Sequence, residues 1–307
     1  MTQSFRRKFT FLLIALGLAL TSAANAVPIL ANGQATINLV EGGNINGSTP
    51  MGVAYHSGFN QYYASRGGSS SYSGYVWNAS GTLLQNQTPL GVDARGWNYN
   101  PNTNQMELVS YNATGGGASF GLFNMHLDGS GLLTGANTQI LGAMPGLNGN
   151  QTMPAYDATR DQFYSRNTNG TVNIVERNDG SLFGSIALDL ASAGNPGLQG
   201  QFIGYDPLFD VLVTLDVTNT RALVHDLSGA FLGASQLSGF NPTQANFNAG
   251  YANGQIFVYD SQISGWRGFD IFGDAVAAPE PGTLALMGLL LPAFAGRRRA
   301  RSIAADA

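Results

Sequence analysis

Short apolar runs rich in Tyr, Phe, Val, Ile and Leu alternate along the chain with clusters of Asn, Asp, Ser and Gly. Runs this brief, bounded by turn formers, predict strands rather than helices. One unit organises the rest: Tyr205-Asp206-Pro207-Leu208-Phe209-Asp210 followed by Val211-Leu212-Val213-Thr214-Leu215. It reads as a strand ending on the Tyr, a tight turn through Asp-Pro, and a second strand beginning after Asp210. The unit recurs. Tyr99-Asn100-Pro101 leads to Asn104 and Met106-Glu107-Leu108-Val109, Tyr156-Asp157 leads to Asp161 and Phe163-Tyr164, and Tyr55-His56 leads to Asn60 and Tyr62-Tyr63. In all four, the aromatic residue and the second Asn/Asp are five positions apart. A fifth, shortened copy runs Tyr251-Ala252-Asn253-Gly254 into Ile256-Phe257-Val258-Tyr259.

Each copy heads four strand-length pieces, which in the first repeat fall at 52–55, 61–65, 74–77 and 82–84. The turn before the fourth piece, Asn78-Ala79-Ser80-Gly81, returns as Asp128-Gly129-Ser130-Gly131, Asn178-Asp179-Gly180 and Asp226-Leu227-Ser228-Gly229. Asn, Asp and Gly supply the positive φ angles that tight hairpin turns need. Successive tyrosines are separated by 44, 57, 49 and 46 residues, so the insertions belong in loops, the longest at 112–117 and around 142–150. Four antiparallel strands repeated at roughly this spacing predict an all-β chain folded as a β-propeller of five four-stranded blades. A sixth would fit only if a degenerate blade occupied the long 99–156 interval. The fifth copy offers strands at 248–251, 255–259 and 268–272 and then stops, while a strand at 35–40 stands unassigned before the first repeat. Pairing that N-terminal strand into the last blade closes the ring and removes the exposed edges. The propeller domain is therefore placed at 35–274.

Composition changes the picture in two ways. With no Cys, disulfides and thiolate metal sites are excluded. The net charge of −4 conceals an asymmetry, because Arg6, Arg7, Lys8, Arg297, Arg298, Arg299 and Arg301 lie at the two ends. Between Val27 and Glu280 there are 7 Arg, no Lys and 17 Asp/Glu. An acidic, Lys-free body excludes nucleic acid as a partner, since that needs a basic surface.

The ends carry delivery signals. Residues 1–26 combine a basic start, an apolar stretch from Phe9 to Leu20 and the small-residue site Ala24-Asn25-Ala26, which predicts a secretory signal peptide cleaved before Val27. At the other end, Pro279-Glu280-Pro281 precedes an uncharged Leu/Ala/Gly/Met segment and the cluster Arg297-Arg298-Arg299-Ala300-Arg301. A helix over 282–296 would be roughly 22 Å long, a short transmembrane helix with its arginines on the cytoplasmic side. This three-part order over 277–301 resembles the PEP-CTERM sorting signal of bacterial surface proteins. The resemblance implies recognition by an exosortase after passage through the secretory translocon, a transient stay in the inner membrane, and a cell-surface or extracellular fate. The repeated body resembles YVTN/NHL-type propellers in repeat shape.

Candidate chemistry is sparse. The three histidines, His56, His126 and His225, show no metal-ligand spacing, and His56 occupies the turn position held by Asn100, Asp157 and Asp206 elsewhere. Asp157/Asp161 and Asp206/Asp210 invite comparison with acid/base pairs or calcium ligands, but their repeat positions suit turn capping. No catalytic residue, cofactor site or metal site is assigned. Tyr72, Trp77, Trp97 and Trp266 are candidates for stacking on sugars if exposed at a blade rim, core packing being the commoner fate of such residues. Asn-x-Ser/Thr at Asn46, Asn78, Asn86, Asn112, Asn150 and Asn169 marks conceivable modification sites. The expectation is a non-catalytic surface or matrix protein that binds extracellular polysaccharide or another envelope protein. The alternative is a secreted polysaccharide hydrolase or lyase with carboxylates converging beside an Arg such as Arg95 or Arg166.

Overall fold

The computed structural model describes residues 26–42, 49–198, 200–240 and 247–273, and the compact unit is Ile29–Gly273. The expected signal segment up to Asn25, including Ala24, and the sorting segment with Pro279–Pro281 and the arginine cluster lie outside the described residues. Ala26 and Val27 are irregular residues just before the first strand. No helix among the described residues is long and apolar enough to cross a membrane.

The unit is all-β, built of four-stranded antiparallel sheets. The first comprises β2 (Thr49–His56), β3 (Gln61–Gly67), β4 (Ser73–Asn78) and β5 (Leu83–Pro89). The second comprises β6 (Ala94–Asn100), β7 (Gln105–Ser110), β8 (Leu122–Leu127) and β9 (Leu133–Leu141). The third comprises β10 (Ala155–Asp157), β11 (Gln162–Arg166), β12 (Thr171–Glu176) and β13 (Leu182–Ala187). Next come β14 (Gly204–Asp206), β15 (Val211–Asp216), β16 (Arg221–Asp226) and β17 (Phe231–Gln236), then β18 (Ala249–Ala252), β19 (Gln255–Asp260) and β20 (Gly265–Phe272). The strand that completes the last group is β1 (Ile29–Val40), antiparallel to β20 from Ile29↔Phe272 to Val40↔Gly265 with two register shifts. It starts six residues before the expected 35–40. Its N-terminal part also meets β17 through one parallel bridge, Asn32↔Gln236, which links the fourth and fifth groups into one eight-stranded sheet. The 99–156 interval holds no sixth group among its described residues: after β9 comes the connection 142–154. A further long connection joins β13 to β14.

The turns explain the repeat. Asn60, Asn104, Asp161, Asp210 and Asn253 have φ of 58°, 55°, 54°, 55° and 52°. Among residues with a Cβ, Asn and Asp tolerate this left-handed region best, which is why they recur at the start of each second strand. The outer turn is equally determined. Asp226 Oδ1 accepts the Ser228 and Ala230 N–H groups at 2.8 and 3.0 Å, and Asp128 does the same for Ser130 and Leu132. Gly229 (φ 91°) closes its turn against the neighbouring sheet, where a Cβ would collide with the Ala187 carbonyl. Gly81 lies in the same way against the Asn38 carbonyl of β1, so β1 takes the place that an outermost strand holds in the other groups.

The core lies between sheets. One cluster joins Ala54, Tyr63 and Val76 to Trp97, Leu108 and Phe123, and another joins Leu39, Phe257 and Trp266 to Tyr62, Tyr75 and Trp77. Further clusters link the second sheet to the third and the third to the fourth. Inner strands are consequently buried on both faces, as in β3 and β15, whereas outer strands such as β13 alternate. Trp77 and Trp266 are fully buried; each contributes on the order of 4–6 kcal/mol of transfer free energy. These two and Trp97, 4% exposed, are packing residues, the commoner of the two fates open to them, and do not stand exposed on a rim.

Candidate binding cavity

The innermost strands β2, β6, β10, β14 and β18 surround a cavity of about 370 Å³. The repeated tyrosines Tyr55, Tyr99, Tyr156, Tyr205 and Tyr251 all line it. The position before each tyrosine is occupied by Ala54, Asn98, Ala155, Gly204 and Gly250. Small residues are required there because inner strands crowd together: a Cβ on Gly204 would collide with Tyr251, and one on Gly250 with Val53. Asn98 is the exception in this column. Met153 and Phe202, 3% and 2% exposed and joined by a parallel bridge, line the end where the inner strands begin. Pro101, Ala158, Thr159 and Pro207, from the first turns, line the other end. No charged residue belongs to the described lining.

The five-residue spacing seen in the sequence is a hydrogen bond. Tyr99 Oη donates to Asn104 Oδ1 at 3.0 Å, Tyr156 Oη to Asp161 at 2.6 Å and Tyr205 Oη to Asp210 at 2.7 Å. Tyr55 does the same to Asn60. Tyr251, in the shortened repeat, reaches the neighbouring sheet instead and donates to Asp206 Oδ2 at 2.7 Å. Burial, reinforced by the carboxylate partner, raises the Tyr156 and Tyr205 hydroxyls above the ordinary phenol range, and Tyr251 likewise. These hydroxyls therefore stay protonated and act as donors.

The imagined carboxylate pairs do not converge on the cavity. Asp157, fully buried, caps the first turn by accepting the Thr159 and Arg160 N–H groups at 2.9 and 3.2 Å. Asp206 accepts those of Leu208 and Phe209, both at 2.9 Å. Arg160 bridges the third and fourth sheets, contacting Asp157 Oδ2 at 2.6 Å and both oxygens of Asp210 at 2.7 Å. Its guanidinium holds the Asp210 carboxyl below the usual carboxylate range. Arg177 pairs with the fully buried Glu107 in the same way between the second and third sheets. The two arginines considered as catalytic neighbours have other partners: Arg95 binds Asp93 and Gln151, and Arg166 donates to the carbonyls of Phe202, Asn167 and Gly200.

The histidines are scattered. His56 caps its turn, with Nδ1 accepting the Phe59 N–H at 3.3 Å, and packs 4.2 Å from the Tyr99 ring. His126 lies 2.8 Å from Thr138 Oγ1. His225 is fully buried, and burial pushes its imidazole down to about 4. Among the described residues no group of three His, Asp or Glu could hold a metal ion.

The residue that sequence reasoning missed is Asn98. It is 8% exposed and lines the cavity. Its Oδ1 accepts the Tyr156 N–H at 3.1 Å, which settles the amide orientation and leaves Nδ2 as a buried donor with no partner. The signal was an amide in a column otherwise holding Ala and Gly.

Fold and cavity together define a propeller-like all-β protein, and comparison with solved structures agrees. The chain is similar to the glutaminyl cyclase of Myxococcus xanthus, with a TM-score of 0.51 at 13% identity over 80% of this chain and 100% of the other. It is also similar to a protein of unknown function from Bacteroides thetaiotaomicron, at TM-score 0.45 and 10% identity over 79% and 74% of the two chains. A chain of the nidogen/laminin complex matches at TM-score 0.37 and 15% identity, over 62% and 64%. At 13% identity the first likeness is one of β-propeller fold and not of activity. No family model and no curated protein sequence matches the chain.

Proposed function

We propose that this protein is a closed five-bladed propeller acting as a non-catalytic binding module at the bacterial cell surface or in the extracellular matrix. It is delivered there by a cleaved signal peptide ending at Ala26 and by exosortase processing at a PEP-CTERM tail. The observation that carries the binding role is the character of the cavity: tyrosines, one amide, small residues and apolar residues such as Met153, Phe202 and Ile203 line it, while the nearby carboxylates are held in turn caps and arginine bridges. The groups that most often serve as general acid or base, imidazole and carboxyl, do not belong to the described lining. Aromatic surfaces with fixed hydroxyls suit recognition of a polysaccharide. The delivery half rests on the sequence of the two ends and supplies the setting in which such a ligand is met.

Two measurements test the proposal. Intact mass of the protein recovered from the cell surface or medium should begin near Val27 and lack Arg297–Ala307; the full chain in exosortase-containing cells would refute the sorting. A glycan array followed by a turnover assay should show binding without product. Release of product from any matrix glycan would replace the binding reading with that of a hydrolase or lyase.

A further inference from the structure

We propose that the central cavity is a site for one uncharged sugar unit at a chain end, oriented by the Asn98 side-chain amide. This deepens the binding reading above and rests on it.

Three features of the cavity wall restrict its ligand. First, Asn98 Nδ2 is a buried donor left without a partner, since its Oδ1 is committed to the Tyr156 N–H. Leaving such a donor unmatched is costly, so the ligand must bring an acceptor oxygen to it. Second, Tyr156 and Tyr251 each donate their proton to a carboxylate, which can only accept. Their oxygens retain lone pairs, so a ligand facing them must bring donors. Third, the described lining is uncharged, and a carboxylate or phosphate buried there would find no counter-ion. A purely apolar ligand fails the first requirement and an anion the third. A polyhydroxyl compound meets all three, because each hydroxyl both donates and accepts and the C–H faces of a sugar ring pack on aromatic rings.

Size and shape narrow the choice further. The volume of about 370 Å³ lies at the lower end of the roughly 300–1,000 Å³ range of small-molecule sites. Met153 and Phe202 are buried at one end, whereas the exposed Thr159 stands at the other. A cavity floored in this way takes the terminus of a glycan rather than a chain passing through.

The test uses the processed, secreted protein with methyl glucoside, methyl galactoside and methyl mannoside as neutral probes and methyl glucuronide as the anionic control. Binding is followed by calorimetry. At least one neutral glycoside should bind, and the glucuronide should bind about tenfold more weakly or worse. Asn98→Asp keeps the acceptor for the Tyr156 N–H but removes the donor, and should weaken binding by about tenfold or more. Thr159→Trp, on an exposed turn, should block the mouth and abolish binding with an unchanged melting temperature; it decides the matter if the Asn98 variant fails to fold. Equal binding to the parent and Thr159→Trp would overturn the cavity assignment and leave the binding function standing, with its site elsewhere. Binding of glucuronide as tight as that of the neutral probes would overturn the uncharged-ligand inference. If neither these probes nor any matrix glycan bound, both the inference and the saccharide-binding function would fall.

Discussion

In the first two sheets the repeated tyrosine donates to an amide, Asn60 or Asn104; in the third and fourth it donates to a carboxylate, Asp161 or Asp210. Backbone geometry is the same, with φ between 54° and 58° at all four. The surroundings differ. Asp210 is held across the sheet boundary by Arg160, which also binds Asp157 in its own turn, and Arg177 lies 3.9 Å from Asp161 while pairing with Glu107. The amide half needs no cation at its turns and is joined by neutral contacts, such as His56 on Tyr99 and the Asn253 amide donating to the Tyr62 hydroxyl at 3.0 Å. Its buried carboxyl–guanidinium contact lies elsewhere, where Glu41 after β1 meets Arg66. One backbone requirement is thus met by two chemistries, and only the charged one obliges the sheet to carry an arginine.

The largest break in this comparison should come from deleting residues 29–41. That removes the fourth strand of the last group, the Trp77 indole bond to the Val40 carbonyl at 2.8 Å and the Glu41–Arg66 pair, leaving β20 as an open edge. Melting temperature should fall by more than about 10 °C, with aggregation on heating. Calorimetry that matched the parent would show that the amide half does not depend on β1.

Arg160→Met should cost about 2–3 kcal/mol, less than the full value for a buried pair because the guanidinium is partly exposed. The loss arises because Asp157, fully buried, is left without its cation. Asp210→Asn in that background should cost less than in the parent, since an amide serves at Asn60 and Asn104. A urea double-mutant cycle with no coupling would mean that the bridge is incidental.

The halves should also respond oppositely to acid. His225, in the fourth sheet, has its pKa pushed down by burial from 6.5 to about 4. The unfolded chain takes up that proton first, so this contribution to stability is lost as pH falls through 6.5 towards 4, about 2 kcal/mol by pH 4.5. Glu41 runs the other way: burial pushes it up from 4.5 to about 7 despite the neighbouring Arg66. The native state then holds the extra proton, and stability declines as pH rises from 4.5 to 7. Because the windows overlap, each is read as a difference, from unfolding midpoints of His225→Phe and Glu41→Gln against the parent at pH 4.5 and 7. The same sign for both would contradict the assignment.

The smallest effect sharpens the comparison most. Tyr99→Phe removes one hydroxyl bond to an amide and should cost about 1 kcal/mol. Tyr205→Phe should cost more, because it takes a donor from Asp210 and an acceptor from Arg160 at 3.2 Å. Thermal unfolding of the two variants gives the difference directly.

The strand pattern, the turn positions and the missing fourth strand of the last repeat were all legible in the chain, because each is imposed by local chemistry. Asn and Asp recur where φ is positive, Gly recurs where a Cβ would strike a neighbouring carbonyl, and alternation marks the half-exposed outer strands. The Tyr-to-Asn/Asp spacing was visible as a number, although its meaning as a hydrogen bond came only from the folded turn. Tertiary structure alone decided the rest. The tryptophans looked available for a ligand but are buried between sheets, and that depends on which faces meet. Arg160 and Asp210 lie 50 positions apart in sequence and form one bridge. The cavity belongs to five inner strands at once, so no single segment announces it. Asn98 acquires its unmatched donor only when Tyr156, from the next sheet, takes up its oxygen. Local sequence specifies how a chain turns; the convergence of distant strands on one axis is set by packing, which no local pattern encodes.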